Sequence, residues 1–175
     1  MQNNKSKLDW CIRKELMKKI SPNGKTSKEH IEKAKHNLRA ADYCLKGKFD
    51  DWVVSQCYYA MYHSLLAILF KKGYESKNHE CTINAVDYLI ETKEITFNKE
   101  DISYIRTAEQ MTSKDAKSLR EEFQYGTETK VNEILLKDML KKSKEIVEKV
   151  EILLNELDSF QENKTERTGV KNVKK

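Results

Sequence analysis

Trp52–Phe70 reads WVVSQCYYAMYHSLLAILF, 19 residues without a formal charge. The run is long enough to cross a bilayer. However, Ser55, Gln56, His63, Ser64 and three tyrosines make it a poor candidate for insertion. The chain contains no second run of this kind, so no membrane association is expected. A helix apolar on all sides is one enclosed by other elements. The stretch therefore predicts the central helix of a helical bundle.

The rest of the composition agrees. The chain has 175 residues, with 5 Gly and 1 Pro. An all-β fold needs a turn every ~8–12 residues, so this scarcity of Gly and Pro argues against a sandwich, a barrel or a Gly-rich nucleotide loop. The length fits one domain. The fold class expected is all-α, an up-and-down bundle of four to five helices.

Upstream of the central run, Leu8, Cys11, Ile12, Leu16 and Ile20 have helical spacing and predict an amphipathic helix over 5–20. Ser21-Pro22-Asn23-Gly24 stops it. Thr26 and Glu29 read as a capping box for a second helix, which carries Ile31, Ala34, Leu38, Ala41 and Leu45 and ends near Gly47. Asp50 is expected to cap the central helix, which runs to about Gly73.

Downstream, Asn78 opens a helix with Ile83, Val86, Leu89 and Ile90 that stops around Lys93. Asn98 and Asp101 open the next, which carries Ile102, Ile105, Ala108 and Met111, with a break expected at Thr112-Ser113 and an end at Gly126. A last helix over roughly 130–160 shows Leu136, Leu140, Val147, Val150, Leu154 and Leu157 in near-heptad steps. The expected organisation is an N-terminal basic extension over 1–25, a bundle over 26–160, and a disordered basic tail over 161–175.

Charge follows this division. The formal net charge is +5, made up of +5 in residues 1–25, +3 in 161–175 and −3 between them. The basic ends are either solubilising tails or an electrostatic hold on RNA. Cys11, Cys44, Cys57 and Cys81 form no C-x-x-C pair, and Met1–Lys7 leads into charge rather than an apolar signal run. A reducing, cytoplasmic location fits both observations.

Most familiar chemistry has no residues to carry it. His79-Glu80-Cys81 has no C-x-x-C to follow it, His30 and His36 point in different directions on a helix, and no H-E-x-x-H or Asp-rich loop occurs. No metal and no cofactor are expected. Ser55, Tyr59 and His63 stand at i, i+4 and i+8 and share one stripe, beside a second stripe of Tyr58 and Tyr62. Such a helix faces either an internal polar network or a cleft where rings stack on a nucleobase. A second focus is Leu119-Arg120-Glu121-Glu122-Phe123-Gln124-Tyr125-Gly126, where a guanidinium fork suited to phosphate stands near a phenol. Glu121 and Glu122 are the alternative partners of Arg120, in a surface salt bridge.

Two segments together resemble the HEPN family, the higher-eukaryote and prokaryote nucleotide-binding domain, and within it the small stand-alone prokaryotic proteins. The resemblance rests on Ser55-Gln56-Cys57-Tyr58-Tyr59-Ala60-Met61-Tyr62-His63, Ala67-Ile68-Leu69, Gly73, Lys77-Asn78-His79, Leu119-Arg120 and Tyr125-Gly126, over about 30–155. It implies a bundle of four or five helices and a twofold dimer. Many members are metal-independent RNases that use an Arg followed, four to six residues on, by a His. Arg120 matches that Arg, but the positions after it are Tyr125, Gly126 and Thr127. A Tyr with an ordinary pKa near ~10 is a poor base at neutral pH.

Other members work beside a small nucleotidyltransferase in toxin–antitoxin pairs. In some of these a HEPN Tyr is adenylylated two residues after the motif His. That position is Thr127 at the earliest, so the modification does not carry over. The resemblance thus implies a homodimeric module that binds nucleotide, RNA or a nucleotidyltransferase. The alternative is a ribonuclease that uses Arg120 with His63 or His79. The candidate catalytic residues are Arg120, Tyr125 and His63, and the candidate ligand-binding residues are Tyr59, His63, His79 and Arg120.

Overall fold

The computed structural model of the chain describes residues 4–106 and 133–169. Its elements are α1 (Asn4–Arg13), β1 (Met17–Lys19), α2 (Gly24–Gly47), α3 (Asp50–Lys72), β2 (Tyr74–Ser76) and α4 (His79–Glu91). A helical stretch over 99–106, α5, and a long helix α6 (Glu133–Gly169) follow. The expected helical bundle is what forms.

The α3 helix occupies its centre. Val53, Cys57, Ala60, Met61, Leu65, Ala67, Ile68 and Leu69 are all fully buried, packed by α2, α4 and α6. Among the described helices it alone is long and apolar enough to span a bilayer, yet 67% of that window is buried inside the protein. Most of its apolar surface is thus covered by protein, with Trp52 and Tyr59 left exposed. Ala34 of α2, Ala60 of α3 and Val147 of α6 pack together, and their small size lets the three helices approach closely.

Several local expectations need correction. The helix expected over 5–20 ends at Arg13, and Glu15 takes a left-handed φ of 57°. Met17, Lys18 and Lys19 then pair antiparallel with Ser76, Glu75 and Tyr74. The apolar periodicity of Leu16 and Ile20 gives way because β2 offers ladder hydrogen bonds and Met17 a fully buried seat. The cap of α2 is Asn23, whose side chain accepts from the Thr26 N–H at 3.0 Å. Phe49, not Asp50, is the N-cap of α3, and Asp50 and Asp51 lie in the first turn, where their charge suits the helix dipole. The backbone of α6 stays helical to Gly169, past the Phe160 boundary expected for a disordered tail.

Gly73 ends α3 in the left-handed region, at φ 83°. A Cβ there would stand 2.7 Å from the Ile20 carbonyl oxygen, and the Gly73 carbonyl accepts from the Ile20 N–H at 2.9 Å. The chain between β1 and α2 is thereby laid against the end of the central helix.

Two ties hold the outer elements. A Cys11–Cys81 disulfide joins α1 to α4 across 70 residues, a pairing that spacing alone did not suggest. Cys44 and Cys57 are free, and burial pushes the Cys57 thiol up to about 11. Asp101 of α5 is fully buried and paired with Lys142 at 2.8 Å and Lys149 at 2.7 Å. Burial alone would raise its pKa, but the two ammonium groups of α6 hold it below the ordinary carboxylate value.

Candidate functional site

The polar stripe of α3 meets α2 on one side and the start of α4 on the other. On the α2 side, the buried Ser27 hydroxyl donates to the Ala67 carbonyl at 2.8 Å and sets the rotation of α2 against α3. One turn on, His30 reaches His63, with Nδ1 to Nδ1 at 3.0 Å. Such a contact needs one N–H and one lone pair, so the two rings adopt complementary tautomers. His30 also stacks on Phe70, with centroids 5.0 Å apart.

On the α4 side, Asn78 caps the helix by accepting from the Cys81 N–H at 2.9 Å, which places His79 in the first turn. His79 stacks on Tyr62 at 4.1 Å between centroids and on Tyr58 at 5.5 Å. Its Nδ1 shares a hydrogen bond with the Tyr58 hydroxyl. Tyr59 lies edge-on to Tyr58 at 5.6 Å and to His79 at 6.3 Å, and is 44% exposed. Tyr62 and His63 are adjacent at 6.1 Å. The result is one continuous ladder of rings: Phe70, His30, His63, Tyr62, His79, Tyr58, Tyr59.

Its electrostatics are those of a desolvated site. Burial lowers His63 from 6.5 to about 4, with the charges of His30, Lys33 and His79 adding to the effect. Burial likewise lowers His30 and His79. At neutral pH all three imidazoles are therefore uncharged. They offer stacking faces and neutral donors and acceptors, but a base of pKa about 4 takes a proton weakly at pH 7.

Of the residues singled out in the sequence, Tyr59, His63 and His79 belong to this ladder. Arg120 and Tyr125 lie outside the described residues, and so does the break expected at Thr112-Ser113. His36 is exposed on α2, apart from His30 as expected. His30 itself is the residue that sequence reasoning missed as a partner for His63. The available signal was its place in the Ser27, His30, Ala34 stripe, at i, i+3 and i+7 on the inner face of α2. Among the described residues, no group of three or more His, Cys, Asp or Glu side chains is placed to hold a metal ion.

No curated protein matches this sequence. The family model for the HEPN domain matches residues 27–153, a span that takes in α2 through α4, α5 and most of α6 and leaves α1 and β1 outside. With every ring of the ladder, drawn from α2, α3 and α4, inside the matched span, the chain belongs to the HEPN domain family.

Proposed function

We propose that this HEPN protein is a cytoplasmic, homodimeric binding module that holds a nucleotide or an RNA end without cutting it. The observation that carries the reading is the ladder itself. It presents an exposed Tyr59 backed by Tyr58 and by an uncharged His79. Rings of this kind stack on a base, while neutral hydroxyl and imidazole groups read its edge. Arg120 is the residue assigned to phosphate in this reading, with Tyr125 five residues on in the sequence, and a facing copy in a twofold dimer doubles the guanidinium. A nucleotidyltransferase is the protein partner proposed, in a toxin–antitoxin-type pair.

The ribonuclease alternative would need His63 or His79 as its acid–base group. His63 sits near 4 and is bonded to His30, and the His79 Nδ1 is occupied by Tyr58. Both facts weigh against it. The cytoplasmic assignment is supported by the free thiols of Cys44 and Cys57, while the Cys11–Cys81 disulfide pulls the other way. Alkylation of Cys11 in freshly lysed cells decides between them.

The test of the binding reading is fluorescence anisotropy with labelled single-stranded RNA in EDTA. The expected result is saturable binding that Tyr59→Ala weakens about tenfold, as loss of one stacked base does. Absence of binding to RNA, to nucleotides and to a neighbouring nucleotidyltransferase would end it.

A further inference from the structure

A cleft of about 340 Å³ lies between α1 and the first turns of α4, and none of the ladder rings is among its described lining residues. The Cys11–Cys81 disulfide forms part of its lining and holds its two walls together. From α1 come Lys7, Trp10 and Arg13. Trp10 leaves 47% of its surface uncovered, so part of its indole is open to solvent. Neither Lys7 nor Arg13 has an ion-pair partner among the described residues.

From α4 comes Asn84, only 3% exposed. Its Oδ1 accepts from both Arg106 terminal nitrogens, at 3.3 Å each, and Asp87 holds Arg106 in turn at 2.8 Å. The amide is thereby fixed, and its Nδ2 has no hydrogen-bond partner among the described residues. The exposed Glu80 is the only acid among the described lining residues, and these carry one net positive charge.

We propose that this cleft binds a nucleoside monophosphate, either free or as the 5′-terminal nucleotide of a single-stranded RNA. The base stacks on Trp10, the Asn84 Nδ2 donates to an acceptor on the base edge, and Lys7 and Arg13 hold the phosphate. Glu80 accepts from a ribose hydroxyl or a base amino group. The volume suits a ligand of this size, and the balance of two cations against one carboxylate favours a single phosphate over a triphosphate. The proposal rests on the nucleotide-binding reading for its ligand class. Its aromatic and cationic wall, however, comes from α1, ahead of the matched residues 27–153.

The chain has 2 Trp, so a Trp52→Phe background makes Trp10 the only indole. Titration with AMP and UMP, and with short RNAs carrying a 5′-phosphate or a 5′-hydroxyl, is then followed by Trp10 fluorescence. The expected result is saturable quenching, with Kd raised about tenfold by Lys7→Ala and about tenfold by Arg13→Ala, and with an unchanged melting temperature for both variants. Tight binding of free AMP or UMP assigns the site to nucleotides. Binding only to 5′-phosphorylated RNA assigns it to RNA ends, and either result upholds the proposal. No saturable quenching by any ligand, or quenching indifferent to Lys7→Ala and Arg13→Ala, overturns it. If Tyr59→Ala weakens RNA binding while Arg13→Ala does not, the cleft is refuted and the ladder reading stands. The reverse pattern upholds the cleft and refutes the ladder.

Discussion

Acidification should unfold this protein through its imidazoles before its carboxylates. His63 is held at about 4 in the folded chain against 6.5 for a free imidazole. The folded state therefore binds fewer protons than the unfolded state between those two values. The stabilisation is complete above 6.5, falls as pH drops through that value, and is lost below about 4. Integrating the two titration curves gives a loss of about 2 kcal/mol at pH 5 relative to pH 8, for His63 alone. For a chain of this size that is a fall in melting temperature of about 4–8 °C. His30 and His79 are lowered as well and act in the same direction. Asp101 does not confuse the window: it is held below its ordinary 3.8 and begins to lose its contribution only below that pH. The assay is urea unfolding at half-unit steps from pH 8 to pH 4.5, on wild type and on His63→Gln, which keeps a hydrogen-bond partner for His30 without titrating. The slope of stability against pH should flatten in the variant, removing about 2 kcal/mol of the loss between pH 8 and pH 5. A variant with the wild-type slope, or a His63 ring resonance that titrates near 6.5, would show that His63 is not held down by the fold.

Further outcomes follow from the other ties. Reducing Cys11–Cys81 frees a loop of 70 residues and should lower stability by up to about 4 kcal/mol on the loop-entropy model. Urea midpoints with and without a phosphine reductant measure this, and a Cys11→Ser/Cys81→Ser variant should show no response. Asp101→Asn should cost about 2 kcal/mol in chemical denaturation. This is less than for a wholly buried pair, because Lys142 and Lys149 are 32% and 43% exposed and water takes them back. Gly73→Ala should destabilise by about 2 kcal/mol, since it combines a left-handed φ with a contact against the Ile20 carbonyl. A Gly73→Ala protein that melts with wild type would contradict that geometry.

How far the sequence could be read depended on how local each determinant was. The central position of Trp52–Phe70 was legible because burial on all sides leaves its mark in composition, with no need to know the neighbours. The Tyr59 and His63 stripe was legible for the same reason, since i, i+4 spacing is internal to one helix. His30 as the partner of His63 was not, because the contact depends on how α2 is rotated against α3, which the Ser27 hydroxyl helps to set. Nor was β1: Leu16 and Ile20 fit a helix as well as a strand, and only the return of Tyr74–Ser76 decides between them. Asn23 and Thr26 are both good caps three residues apart; cap propensity favours Asn, but the Thr26–Glu29 spacing of a capping box points to Thr26. The disulfide required α1 to fold back onto α4, a tertiary event that spacing within the chain does not record.

The proposed role of this HEPN protein is to hold RNA or nucleotide and leave it whole. Its most direct test incubates the dialysed protein with end-labelled single-stranded RNA in EDTA and runs each sample on a native and a denaturing gel. A retarded band on the first and full-length RNA on the second are expected. Shortened products that disappear when Arg120→Ala replaces the wild type would contradict it.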